Sequence, residues 1–495
     1  GRFDRWNLKG SVNAPLSDEL FLRVTASTQQ GDGYTDNDVL GRDVNDRDTN
    51  GVRGALRWEP RDDLSFDLSA DWMRSDSDSL YAIDLLPANG VSSEYSTDGV
   101  DLFQSNSGHP QFNIGEGWGV SLTGNWDVNE NISIESITAF RNTYQKWDLD
   151  LSDKPVPIFR LLTINDSDQF SQELKVNASL FDGKVDLVVG GFYFDEESYS
   201  FIGDVFGNAI MLSRTYDVNV ESFAFFAEAD WHITDRLTAV IGGRYTEDDK
   251  DLGIVGRSGF NITFDPTQAG AQTFDNASLA ALGTPDTLSF SEFTPQLGLK
   301  YDITDDLNVY FMYTEGFKSG GWSARTNNPA EIVTFVPEFV NNYEVGLKGA
   351  LFEQRARFSL VGFYYDYTDL FNTGTGAGGN FLVATNDAEV YGIEAEWTAR
   401  VSEALDIFGF GAWQDGEYKN VDPTAGFIGD ELQRLPEFSF QVGFNYVRPI
   451  YPGWNIQVTS NFNYQENHWT NIQNSVPSGD INRLDAAVNF VSQDD

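Results

Sequence analysis

The sequence has no cysteine, three histidines, three methionines, and 32 Lys plus Arg against 76 Asp plus Glu in 495 residues. The missing cysteine excludes disulfide scaffolds, thiolate zinc sites, iron–sulfur clusters and thiol nucleophiles. The shortage of cations leaves a formal charge of −44, which argues against a nucleic-acid partner because phosphate binding needs a basic surface. No run of 18 apolar residues is present, so no helix is expected to span a bilayer. Disorder is not expected either, because acidic disordered chains are poor in aromatics and this one has 14% Phe, Trp and Tyr. The chain opens on Gly1 with no signal peptide before it, as expected of a processed chain or a fragment.

What is present is a period of two. Trp454, Ile456, Val458, Phe462 and Tyr464 alternate with Asn455, Gln457, Thr459, Asn461 and Asn463. Phe438, Phe440, Val442, Phe444 and Tyr446 alternate with polar or small residues, as do Trp6, Leu8 and Val12. A strand sends successive side chains to opposite faces, so each segment has one apolar and one polar face. Nineteen such segments fill residues 4–492, and only 276–283 reads as a short helical turn. Length alone would suggest several soluble domains, but one pattern occupies the whole chain.

The connections alternate short and long. One end has only turns of four to six residues and the other only loops of 13 to 39, the longest being 77–114, 250–288 and 31–50, with 149–165, 200–216 and 372–386 among the rest. The short turns repeat an apolar–Ser/Thr–acid–x–Leu form, as in Ile233-Thr234-Asp235-Arg236-Leu237 and Ile303-Thr304-Asp305-Asp306-Leu307. Their short polar side chains are expected to bond turn backbone. Tight turns at one end and long loops at the other are characteristic of outer-membrane barrels. Tryptophan supports this. Trp58, Trp126, Trp231 and Trp454 fall beside short turns, and Trp72, Trp118, Trp147, Trp413 and Trp469 near long loops. Two interfacial belts are therefore expected. The expected fold is all-β: a transmembrane up-and-down antiparallel barrel, closed because lipid leaves no other partner for backbone N–H and C=O groups. Asn7, Lys9, Gln441, Asn445, Gln457 and Asn461 would line its lumen, while Phe440, Val442 and Ile456 would lie on the outer skin.

Several stretches resemble the TonB-dependent outer-membrane receptor family over the whole length. They include Asn308–Trp322 (NVYFMYTEGFKSGGW), Pro337-Glu338 followed by Tyr343–Lys348, Phe363–Leu370, Tyr391–Glu396, Phe170–Leu174 and Gly242–Thr246. The resemblance implies a 22-strand barrel around an N-terminal plug, preceded by a short segment that engages TonB. Residues 1–495 then read as one barrel domain without the plug, with one strand expected before Gly1 and two after Asp495. It also implies a Gram-negative outer-membrane location and TonB-energised uptake of a scarce nutrient. A ferric siderophore is the first expectation and a carbohydrate its rival. The implied partners are lipid and lipopolysaccharide, the TonB complex through the plug region, and a small-molecule or glycan ligand. No enzyme activity and no cofactor are implied. A passive porin and a secreted β-rich adhesin are the alternatives of other classes.

Other motifs carry less. Asp46, Asp48, Asn50 and Gly51 imitate a calcium loop, but Arg57 stands where a bidentate Glu is needed. Gly374, Gly376 and Gly379 fit GxGxxG without the strand–helix context of a dinucleotide site. His109, His232 and His468 are too scattered to form a metal or catalytic cluster. Ligand contacts are expected in the long loops, which hold 23 Asp or Glu and 10 Lys or Arg. The candidates are Tyr34, Tyr81, Lys318, Trp322, Arg325, Phe335 and Phe381, aromatics for stacking and cations for an anionic group.

Overall fold

The computed structural model describes residues 4–78, 81, 103–375, 381–419 and 431–492. Nineteen wall strands follow one another: β1 (Trp6–Pro15), β2 (Leu20–Gly31), β3 (Arg47–Arg61), β4 (Leu64–Ser77), β5 (Phe112–Asn129), β6 (Ile132–Asp150), β7 (Phe159–Leu180), β8 (Val185–Phe206), β9 (Ile210–Thr234), β10 (Leu237–Gly259), β11 (Thr287–Thr304), β12 (Leu307–Lys318), β13 (Glu338–Leu351), β14 (Ala356–Thr375), β15 (Phe381–Ser402), β16 (Leu405–Lys419), β17 (Phe438–Tyr451), β18 (Trp454–Gln465) and β19 (Ile481–Ser492). Each pairs antiparallel with the next, and a five-residue strand, Ala271–Asp275, joins the same sheet at the outer end of β10. Among the described residues, no ladder joins β1 to β19. The short helix expected near 276–283 is present as α1 (Asn276–Leu282).

The tight turns behave as their sequence implies. Thr234 Oγ1 accepts from the backbone N–H groups of Arg236 and Leu237 at 3.3 and 3.0 Å. Ser17, Thr304 and Ser402 accept from the N–H two residues on at 3.2, 3.3 and 3.2 Å. These bonds pair backbone donors that the turn takes out of the ladder.

One face of the sheet is apolar and open. Leu299, Phe311 and Val345 stand side by side on β11, β12 and β13, and all three are exposed. Phe440 packs on this skin against Phe438, Phe462 and Tyr464, with ring centroids 5.5–5.9 Å apart. Val442 and Ile456 share that face through the β17–β18 register. The opposite face carries Asn7, Lys9, Gln441, Asn445, Gln457 and Asn461, as alternation requires. Exposed apolar area on this scale is stable only against another apolar phase.

Five expectations need correction. The connection expected at 200–216 is mostly ladder: β8 and β9 stay paired from Val185–Trp231 to Phe206–Ile210, leaving only 207–209 as a turn. Likewise 149–165 shrinks to 151–158, and β14 and β15 extend to Thr375 and Phe381. β9 has 25 residues, about 55–60 Å along the barrel axis at ~45° tilt, roughly twice the ~25 Å apolar band of such barrels. The wall therefore projects well beyond a membrane on the loop side. Trp147 does not join Trp118 on the apolar skin. It pairs with Asn113 and Thr163 on the face of Arg141, Thr143 and Gln145. Trp469 lies off the wall, in the 466–480 loop, and its Nε1 donates to Glu431 Oε2 at 2.7 Å.

Trp58, Trp126, Trp231 and Trp454 are exposed on the apolar face at the tight-turn end. Trp72 and Trp118 pair directly across β4 and β5, and Trp413 stands beside Ile393 and Phe438. A second aromatic row was missed. Tyr313, Tyr343, Tyr364 and Tyr391 stand in register across β12–β15. The Tyr364 and Tyr391 hydroxyls donate outward to Glu389 and Asp415 at 2.7 and 2.8 Å. One row beyond Tyr193 and Phe223, the apolar surface gives way to Asp195, Glu221 and Asp249 in register.

Candidate functional site

The polar face is banded. One band is charged. Arg53, Asp71, Gly119, Arg141, Gln169 and Glu196 stand in one row across β3–β8. Arg141 Nη2 lies 3.0 Å from Asp71 Oδ1. Nearer the tight turns, Lys175 Nζ bridges Glu135 at 2.5 Å and Glu173 at 3.2 Å. Toward the loops the next two rows hold no charge: Gly51, Met73, Gly117, Thr143, Ser167 and Ser198, then Thr49, Ser75, Gly115, Gln145, Asn165 and Ser200.

Above β9–β12 the same face is covered by folded loop. Leu252 and Ile254 of β10 and Tyr216 of β9 are buried against Phe274, Leu279 and Ile332, with Trp322 packed on the cluster. Helix α1 can lie there because Asp275 caps it: its carboxylate accepts from Ser278 N, and Ser278 Oγ answers the Asp275 N–H. Gly283 ends it in the left-handed region at φ 86°. The 319–337 loop is a short hairpin pairing Gly321–Ser323 with Val333–Phe335. Trp322 Nε1 donates to the Pro285 carbonyl at 2.7 Å, and Thr284 Oγ1 to the Ile332 carbonyl at 3.0 Å.

The structure gathers some candidates and separates others. Lys318 and Phe335 meet at Phe371: the rings of Phe335 and Phe371 are 4.2 Å apart, and Lys318 Nζ sits 5.4 Å from the Phe371 centroid and 3.9 Å from Glu338. Trp322 belongs to the same hairpin, and Arg325 follows it, exposed. Tyr34 is exposed on a different loop, next to the hairpin that pairs Thr35–Asn37 with Arg42–Val44. Tyr81 is only 5% exposed. Its hydroxyl accepts from Gln111 N at 3.0 Å and donates to the His109 carbonyl at 3.3 Å, so it acts as a packing post. Phe381 begins β15, but its side chain lies outside the described residues, as do Gly376 and Gly379. Asp48, Asn50 and Gly51 of the imitation calcium loop are ladder residues of β3.

Sequence reasoning missed a buried polar clamp between residues 103–111 and the outer end of β6, which stands clear of the membrane-spanning part. Asp148, Asp150 and Asp153 are buried. Ser107 Oγ donates to Asp150 at 2.6 Å, Ser105 Oγ to Asp153 at 2.8 Å, and His109 Nε2 lies 2.9 Å from Asp148. Arg160 Nε donates to Asp148 at 3.2 Å. Burial alone would raise the Asp148 pKa, but the hydrogen bonds and charges of His109 and Arg160 hold it below the ordinary carboxylate value. No group of His, Asp or Glu suited to a metal ion occurs among the described residues.

The family model described as TonB dependent receptor-like, beta-barrel matches residues 1–493. The pesticin receptor of Yersinia enterocolitica is 23% identical over 362 residues, covering 70% of this chain and 47% of that protein. The ferrichrome outer membrane transporter/phage receptor of Escherichia coli K12 is 23% identical over 209 residues, 42% of this chain and 27% of its own length. The chain thus spans about half or less of the curated relatives it matches. Among solved structures, the ferric yersiniabactin uptake receptor FyuA from Yersinia pestis superposes with a TM-score of 0.82 at 18% identity, over 99% of this chain and 71% of that one. The siderophore receptor PiuA from Acinetobacter baumannii gives 0.75 at 14% identity, over 98% and 73%. The sheet is thus the wall of a receptor barrel, its polar face turned to the lumen, and the chain belongs to the TonB-dependent receptor family through its β-barrel domain.

Proposed function

We propose that this barrel is the wall of an outer-membrane receptor that takes up a scarce, iron-carrying small molecule, a ferric siderophore, with energy delivered through TonB. The observation that carries this reading is a lumen roofed on one side by a folded loop cap, in a family whose similar members are named for siderophore uptake. The loops capture ligand, the polar face guides it, and a plug region that engages TonB gates passage. No covalent chemistry is part of the cycle. The nineteen-strand wall and the family placement argue against a passive porin of about 16–18 strands.

The apolar skin faces hydrocarbon in a Gram-negative outer membrane. Trp58, Trp126, Trp231 and Trp454 mark the inner interface, and Trp72, Trp118, Trp413 and the tyrosine row mark the outer one. The carboxylates beyond that row meet lipopolysaccharide phosphates through divalent cations.

The test is iron uptake by cells expressing the full-length receptor in a host lacking its own siderophore receptors. Radiolabelled iron supplied as siderophore complexes should enter, and entry should stop when TonB is deleted. Uptake that is equal with and without TonB, or a requirement for a sugar in place of iron, would overturn the reading.

A further inference from the structure

We infer that the ligand recognised at the outer end of the lumen carries no net negative charge and is held by hydroxyl and amide hydrogen bonds. The inference rests on the uptake reading and narrows its substrate class. Two adjacent rows of the lumen wall, six strands wide, contain no ionisable residue. The outer row is Thr49, Ser75, Gly115, Gln145, Asn165 and Ser200. A Cβ at Gly115 would meet nothing within 4 Å, so the wall there is recessed and open. Trp147 stands one row farther out between Asn113 and Thr163, where an indole face can cover a ring or an apolar edge of a ligand.

This band is uncharged although charges flank it. The row beneath holds Arg53, Asp71, Arg141 and Glu196. Four cations beyond it hold partners. Arg160 is bound to Asp148 and to Asn208 Oδ1. Arg214, fully buried, donates to Asp204 at 2.6 Å and Asn327 at 2.9 Å. Lys250 Nζ donates to the Gly320 carbonyl at 2.8 Å, and Lys318 stands beside Glu338. Recognition of a polyanion needs arginines or lysines whose donors are still available. In these four the donors are engaged; among the described residues of the six strands that carry the band, only β3 presents exposed arginines outside any ion pair, Arg47 and Arg53, and the whole chain carries 76 acids against 32 bases. A trianionic complex entering the mouth would meet a net repulsive field and arginine donors on one strand only. A neutral ligand bearing many hydroxyl, carbonyl or amide groups finds matching partners without a charge penalty. A neutral ferric trihydroxamate and a neutral oligosaccharide share that chemistry.

The test uses the full-length receptor, plug included, in outer-membrane vesicles. Binding is measured for a neutral ferric trihydroxamate, a ferric tris-catecholate trianion and maltohexaose, each at low and high salt. At least one neutral ligand should bind about tenfold or more tightly than the trianion, and its affinity should change less than about twofold with salt. Gln145→Ala with Asn165→Ala should weaken that neutral ligand about tenfold or more while the heat-modifiable gel band of the folded barrel is retained. Tighter binding of the trianion, or an unchanged neutral affinity in the folded double variant, would overturn the inference. A trianion preference with TonB-dependent uptake leaves the siderophore reading intact. Binding of maltohexaose alone upholds the charge class and removes the siderophore.

Discussion

Arg141 and Asp71 form an ion pair across an intervening strand: the Arg141 guanidinium passes over Gly119 of β5 to reach Asp71 of β4, with Nη2 3.0 Å from Oδ1. A Cβ on Gly119 would sit 2.9 Å from that nitrogen, so the glycine is what leaves the path open. Gly119→Val should force the guanidinium aside and cost about 0.5–1 kcal/mol, the scale of a partly exposed pair. Urea unfolding of the refolded receptor in the presence and absence of Asp71→Asn checks this. If Gly119→Val costs as much without the Asp71 carboxylate, the crossing pair is not the reason.

The loop cap is held by its own small core. Phe274 and Leu279 are almost fully buried against Ile254 and Ile332. Phe274→Ala should cost about 3–5 kcal/mol, paid locally. Hydrogen exchange should rise in 260–286 and 319–337 while the β1–β9 ladders keep their protection. A uniform rise over the wall would show that the cap and barrel unfold together.

Alternation made the nineteen wall strands readable, because lipid on one side and water on the other impose a period of two. It failed where both faces are covered. Between 200 and 216, Phe201, Val205 and Met211 pack into one buried cluster while Ile202 and Tyr216 join another. The face that holds Ile202 and Tyr216 also buries the Arg214–Asp204 pair, so apolar and polar residues no longer alternate and the stretch reads as loop. Trp147 was misplaced for a simpler reason. Nearness to a loop does not fix a face, whereas parity does: it lies an odd number of residues from Phe140, which stands on the skin beside Val120 and Phe170. The tyrosine row escaped because only tryptophan was used as a belt marker. The clamp at Asp148 was invisible because its partners, His109 and Arg160, are brought together only by the ladder and the loop.

That clamp should be acid-sensitive with a definite sign. The folded-state pKa of Asp148 is depressed, so its contribution is complete above the unfolded value of about 3.9 and is lost as pH falls through the lower folded value. The groups facing it are His109, Arg160 and, through Ser107, Asp150. Limited proteolysis of residues 103–111 should be slow at pH 5 and accelerate below about pH 4. Asp148→Asn should give fast cleavage at both. Equal cleavage of the unmodified receptor across that range would show that the carboxylate does not hold the segment.

Trp118 and Trp147 sit near the same end of adjacent strands but on opposite faces of the sheet. Trp118 is 43% exposed on the apolar skin, its ring 5.2 Å from Phe140. Trp147 faces the lumen between Asn113 and Thr163. In vesicles of brominated lipid, quenching requires contact with acyl chains or the interface, where indoles concentrate in membrane barrels. Trp118→Phe should therefore remove lipid-quenchable emission, while Trp147→Phe should remove emission that only a water-soluble quencher reaches. Both substitutions keep an aromatic ring, so the barrel's gel mobility should be unchanged. Lipid quenching lost with Trp147 and kept with Trp118 would invert the assignment of faces, and with it the identity of the lumen wall.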